Sequence, residues 1–175
     1  MARFGLHRGR KNAMSVADSP QATHWAGLSW NSWCSLGDAD QRGEIPATAG
    51  VYRIRSVGDP GLLYIGQSAT LRRRLHNLAM GLKHHPDPAD RVSLPGASTE
   101  YRGHSARPAI ARCVAAGCEI QVSWSGGGLD DAVLRRRVEA APIAQHQVEL
   151  GWRPPCDDQG AGVEAFLARR ARRGT

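Results

Sequence analysis

Paired cysteines are missing from this 175-residue chain. Its four cysteines, Cys34, Cys113, Cys118 and Cys156, include no CxxC unit, so neither a zinc knuckle nor a dithiol redox motif has its usual spacing. They read as reduced, mostly buried thiols. Cys113 and Cys118 with His104 or His146 make one soft-metal set to weigh, but the short apolar stretch around them favours packing, and no zinc is expected. Long apolar runs are absent too. Nothing approaches the roughly 20 residues of a membrane-spanning helix, and the opening MARFGLHRGRKNAM lacks the apolar stretch of a signal peptide. The expectation is a soluble, cytoplasmic protein with no membrane contact. Lysine is scarce, at 2 against 21 arginines, a skew that carries little functional weight.

What is present fits one compact domain, since domains typically run about 100–200 residues. The formal charge is +7, but it is unevenly spread. Of the 23 basic side chains, Arg3, Arg8, Arg10 and Lys11 precede the first acidic residue, and Arg169, Arg170, Arg172 and Arg173 follow the last. The other 15 face 16 acidic side chains, which makes the body nearly neutral. Basic ends can bind phosphate without reading sequence, because neutralised phosphates release counterions. They also serve as solubilising termini.

Residues 1–22 are polar and basic without apolar periodicity, and are expected to be a flexible arm. Trp25, Trp30 and Trp33 follow at helix-compatible spacings, and three tryptophans so close together favour covering a core over stacking on bases. Residues 50–55 alternate apolar and polar, as a half-buried strand does. Turn chemistry at Val57-Gly58-Asp59-Pro60-Gly61 and a second apolar run at 62–65 complete a β-hairpin. Leu71, Leu75, Leu78 and Leu82 then recur at helical steps, with Arg74 beside that face. Residues 83–103 read as a long loop of the functional or mobile kind. Ser105 suits a helix cap before Ile110, Cys113 and Val114, with Gly117 as the stop. Residues 119–124 alternate as a third strand. A last helix starts near Leu129, with Asp130 and Asp131 in its positive first turn and Pro142 set to kink or divide it. The map is therefore a basic arm at 1–22, a folded domain at 23–158 and a basic tail at 159–175.

Gly50-Val51-Tyr52 and Tyr64-Ile65-Gly66 fall on the two strands of the hairpin, Arg74 stands ten residues beyond Tyr64, His104-Ser105 opens a later helix, and Glu139 lies on the last long one. This series resembles the GIY-YIG nucleases, with valine replacing the isoleucine of the first triplet, over about residues 45–158. The resemblance implies a small α+β domain with a three-stranded, mainly antiparallel sheet flanked by helices. It also implies a one-metal endonuclease that leaves a 5′ phosphate and a 3′ hydroxyl.

The chemistry of the residues agrees with that. Phosphodiester hydrolysis needs an oriented water, a cation on the phosphoryl oxygens and help for the leaving oxygen. Tyr52 and Tyr64 can share one face of the hairpin, where a phenol positions or deprotonates water. A phenol with a pKa near 10 needs a nearby cation or basic side chain for that task. Arg74 suits the scissile phosphate, with Arg72 and Arg73 as further nucleic-acid contacts. His104 can polarise the phosphate or shuttle a proton. Glu139 is the candidate ligand for Mg²⁺ or Mn²⁺, and a single well-placed carboxylate argues against a two-metal site.

Each residue also has a plainer reading. The tyrosines can be packing aromatics, Arg72-Arg73-Arg74 a solvated helix face, His104 a helix-start side chain, and Glu139 an i,i+4 ion-pair partner of Arg135. Two departures from the family stand out. The asparagine common near the domain end is absent, Asp157 or Asp158 occupying the nearest position, and Pro142 lies three residues after Glu139. The leading expectation is a DNA endonuclease, with a homodimer on duplex DNA as one way to cut both strands. A catalytically weak nucleic-acid-binding or partner-binding protein is the alternative, and RNA cleavage is a third reading.

Overall fold

The computed structural model describes residues 19–41, 43–84, 104–157 and 160–173. Most of the 1–22 arm and of the 83–103 loop lies outside the described residues, as does Asp158. In chain order the elements are β1 (His24–Trp25), β2 (Leu28–Ser29), β3 (Cys34–Ser35), α1 (Leu36–Gln41), β4 (Gly50–Ser56), β5 (Tyr64–Ser68), α2 (Leu71–His84), α3 (Arg107–Ala115), β6 (Ile120–Gly126), α4 (Ala132–Leu150) and α5 (Val163–Arg173).

The α+β class is as expected, but the main sheet has four strands, not three. It runs β3-β6-β4-β5 with every pair antiparallel, and a separate two-stranded hairpin joins β1 to β2. The extra edge strand escaped notice because two residues cannot display an alternation. The hairpin also replaces the helical spacing read from the tryptophans. Its turn, Ala26-Gly27, has φ of 55° and 72°, the paired left-handed conformation of a tight hairpin turn. Trp25 and Trp30 are nevertheless buried, in keeping with a core role.

Strand β4 lies between two apolar clusters. Tyr52 and Ile54 join the first with Leu71, Leu75 and Leu78 of α2, Ile110 of α3 and Phe166 of α5. Val51 joins the second with Trp25, Trp30, Leu62, Ile65 and Leu129. Cys113, Cys118 and Cys156 are buried in the first cluster, where they pack as small apolar groups. The three fully buried leucines of α2 each contribute about 1.5–3 kcal/mol, which fixes the roll of that helix and with it the direction of Arg74.

Residues 163–173 form a packed helix where a tail was expected. Val163 and Phe166 are buried, and Arg170 and Arg173 pair with the enclosed carboxylate of Asp59 at 2.6 and 3.4 Å. The run of arginines drew attention away from Val163, Phe166 and Leu167, whose spacing makes an amphipathic face. Pro142 does not divide α4, which runs unbroken for 19 residues. Proline removes a single ladder bond, and Pro142 is buried, as are Arg135 and His146 on the same helix. Asp131 caps the helix by accepting the Leu134 amide at 2.6 Å. Among the described residues no helix is long and apolar enough to cross a membrane.

Candidate active site

The β4–β5 register brings the two tyrosines together. Tyr52 pairs with Gly66, and Ile54 with Tyr64, so both phenols rise from one face as diagonal neighbours, with ring centroids 5.9 Å apart. The glycines of the two triplets make this possible. A Cβ at Gly66 would lie 2.6 Å from the Tyr52 hydroxyl and 2.6 Å from the Tyr64 ring, and a Cβ at Gly50 would lie 2.5 Å from the Ser125 carbonyl. Gly66 is thus the space into which the Tyr52 ring leans, and Gly50 admits the close β6 backbone.

Tyr52 is fully enclosed, and its hydroxyl is the centre of a polar network. His104, buried just before α3, makes a 2.7 Å hydrogen bond to it through Nε2. The Ala106 amide donates to His104 Nδ1 at 3.2 Å, so that nitrogen carries no proton. In the neutral ring the proton therefore sits on Nε2, which donates to Tyr52. Burial, with Arg74 nearby, holds the His104 pKa well below its ordinary value and keeps the ring neutral. Arg74 Nε also donates to the Tyr52 oxygen at 3.4 Å, and its terminal nitrogen reaches Ser105 Oγ at 3.3 Å. The Tyr52 proton faces Tyr64, its remaining hydrogen-bond partner.

The charges follow from these contacts. Burial, then Tyr64, raises the Tyr52 pKa well above that of a free phenol, with Arg74 opposing the rise. Burial pulls the Arg74 pKa down, but the charges and hydrogen bonds of Tyr52 and Tyr64 outweigh it and leave the value raised. Glu139 on α4 is half-buried, and burial raises its pKa, with Arg74 and the Gln67 backbone opposing. The ion pair with Arg135 that its spacing suggests is not formed. The Arg135 guanidinium instead bonds Gln67 and the carbonyls of Leu129 and Asp130.

Tyr64, Ser105 and Glu139 line one open cleft of about 340 Å³ with Arg153 and Asp157. The structure thus gathers four of the expected residues, Tyr52, Tyr64, Arg74 and His104, into one bonded cluster, with Glu139 beside it on the cleft. Arg72 and Arg73 are exposed on α2, and Arg72 is partly committed to the Ile45 carbonyl at 2.8 Å. Ser105 is not the helix cap expected of it. Ala106 occupies that position, and Ser105 holds Arg74 instead. Arg153 went unnoticed in the sequence. The stop at Gly151 followed by Arg153-Pro154-Pro155 marks a rigid turn that could have signalled it.

A hard cation that keeps much of its water needs one or two protein carboxylates. Glu139 and Asp157 on one cleft fit that demand. Among the described residues no group of three or more His, Cys, Asp or Glu side chains is placed to hold a metal. Comparison with protein-family models, curated proteins and solved structures finds no match to this chain.

Proposed function

We propose that this chain is a metal-dependent endonuclease of the GIY-YIG type that hydrolyses DNA phosphodiester bonds. The observation that carries the reading is that Tyr64, Ser105 and Glu139 line one cleft, with Arg74 bonded to Ser105 and to the buried His104–Tyr52 pair beside it.

In this reading Tyr64, the half-exposed phenol, meets the attacking water. Tyr52 has no solvent contact and acts through its neighbours, taking hydrogen bonds from His104 and Arg74. Arg74 presents its planar fork to the scissile phosphate, where negative charge grows in the transition state. Glu139, with Asp157 beside the same cleft, would hold Mg²⁺ or Mn²⁺. When bound, the ion supplies charge neutralisation at the phosphoryl and leaving oxygens. One such site cuts one strand, and cleavage of both strands calls for a homodimer on the duplex. Sedimentation on uncut duplex showing monomer alone would remove that last element.

The test is nicking of supercoiled plasmid with Mg²⁺ or EDTA by native protein, Glu139→Ala and Tyr64→Phe. The expected result is relaxation by native protein alone, and only with metal. Equal behaviour of all three overturns the assignment and favours the alternative, a binding protein that retains the architecture.

A further inference from the structure

The turn after α4 forms part of the cleft wall, and several independent contacts hold it. Gly151 ends the helix in the left-handed region, with φ of 78°, and redirects the chain. The Trp152 carbonyl accepts His146 Nδ1–H at 2.9 Å, its ring meets the His146 ring edge-on at 4.8 Å, and the Arg169 guanidinium lies 4.8 Å over that ring. Pro154 and Pro155 are buried, and the Cys156 amide donates to the Leu63 carbonyl at 2.8 Å. A segment tied this closely holds the backbone of its charged residues in place. Those are Arg153, exposed at the rim, and Asp157, both lining the cleft with Glu139.

Arg74 and Arg153 stand differently to this cleft. Arg74 is half-buried among the phenols and reaches Ser105, which lines the cleft, whereas Arg153 is exposed and lines the cleft itself. One phosphodiester carries one negative charge, and the proposed chemistry gives that charge to Arg74. A second guanidinium fork, on the opening that Arg74 borders through Ser105, matches a second phosphate. We infer that Arg153 grips the phosphate next to the scissile one, so that the site takes a polynucleotide backbone in preference to an isolated phosphodiester. This rests on the nuclease reading for the identity of the first phosphate, but not for the contact itself.

The experiment compares native protein, Arg153→Ala and Arg153→Lys on a short DNA duplex and on bis(p-nitrophenyl) phosphate, which has a single phosphodiester. Each variant's melting temperature is checked first, so that a change in fold is not read as a loss of the phosphate contact. Arg153→Ala should raise KM for the duplex about tenfold with kcat within about threefold, and lower the salt slope of binding by about one. Its kinetics on the small diester should be native. Lysine should recover part of the loss, since it keeps the charge but not the fork. A native duplex KM, or an equal loss on both substrates, overturns the inference. Fluorescence anisotropy of the duplex in EDTA separates the two levels of the argument. If the native protein cleaves neither substrate the nuclease reading fails, yet a tenfold drop in duplex binding in Arg153→Ala still supports the phosphate contact, and unchanged binding removes it.

Discussion

Arg53 and Arg74 are both withdrawn from bulk water, and their surroundings pull them in opposite directions. Arg53 is 0 % exposed, with Trp30 and Trp33 rings 4.4 and 4.6 Å from its guanidinium carbon and Trp25 at 6.0 Å. Its donors go to the Pro20 and Ala22 carbonyls, each at 2.8 Å, and to Ser123 Oγ. Burial, then the nearby charge of Arg55, lowers its pKa to about 9. Arg74 is bonded to phenols and a serine beside an open cleft, and its pKa is raised. The difference shows how a strand sorts chemistry. Tyr52 and Arg53 are consecutive, so alternation sends them to opposite faces of β4. One face consumes its arginine as a rivet, fastening the segment at residues 20–33 to the sheet. The other leaves an arginine hydrogen-bonded to hydroxyls, the one that the proposed function assigns to a phosphate.

The sharpest way to break this division is to mutate each face and read both activity and stability. On the cleft face, Arg74→Ala should cost kcat about 10³-fold, near 4 kcal/mol of transition-state stabilisation, while urea unfolding stays within about 1 kcal/mol of native. Glu139→Gln should lose activity similarly and leave the fold as stable or more so, because burial already disfavours its charge. Calorimetric titration with Mn²⁺ should show weaker binding to that variant. On the tryptophan face, Arg53→Met should destabilise by about 3 kcal/mol, since it strands two carbonyls and removes the guanidinium from the aromatic enclosure. The folded fraction should keep native kcat. Loss of kcat in Arg53→Met at native stability would erase the distinction between the faces.

A second contrast lies in the histidines, and pH sharpens it. His146 is buried on α4, with its Nδ1–H on the Trp152 carbonyl and Nε2 accepting the Leu62 amide at 2.9 Å. Burial lowers its pKa to about 4, with the Trp152 bond opposing. A folded-state value below the unfolded one gives stability that is complete above about pH 6.5 and is lost as pH falls toward 4, on the order of 3 kcal/mol in all. His104 shifts in the same direction and adds to the slope. His146→Leu should flatten the stability profile in that window by about 1.4 kcal/mol per pH unit without altering the His104 contribution. An unchanged slope would show that His146 is already charged in the folded protein.

Much of this was legible in the sequence because it rests on local periodicity. The β4–β5 hairpin, α2 and the β6 strand announce themselves through apolar spacing and α4 through its acidic first turn, and the positions of Tyr52, Tyr64, Arg74 and Glu139 follow once those elements pack. What stayed hidden depends on contacts between distant segments. Strand β3 exists only because β6 pairs with it, and the Trp–Arg53 enclosure joins residues 20–33 to β4 and β6. The α5 helix was masked by its own arginines, whose partner Asp59 lies more than a hundred residues earlier. In the site, the unequal burial of the two tyrosines could not be read from two similar triplets. It comes from His104 and Gly66, one covering Tyr52 and the other making room for it.

That inequality supplies the mildest test. Tyr52→Phe removes an oxygen that accepts from His104 Nε2 and Arg74 Nε, leaving a buried N–H without its acceptor, which costs about 1–2 kcal/mol of stability. Because Tyr52 lies beneath the cleft, its effect on rate passes through the placement of Tyr64 and Arg74. Activity should fall only about tenfold, with an altered acid limb of the pH profile as His104 loses the partner of its Nε2 proton. Tyr64→Phe should show the converse, a loss of at least a hundredfold in kcat with a smaller change in stability, since Tyr64 is only partly buried. If the two variants exchange these behaviours, the buried phenol is the one that reaches substrate, and the cleft must open further on binding than its resting geometry allows.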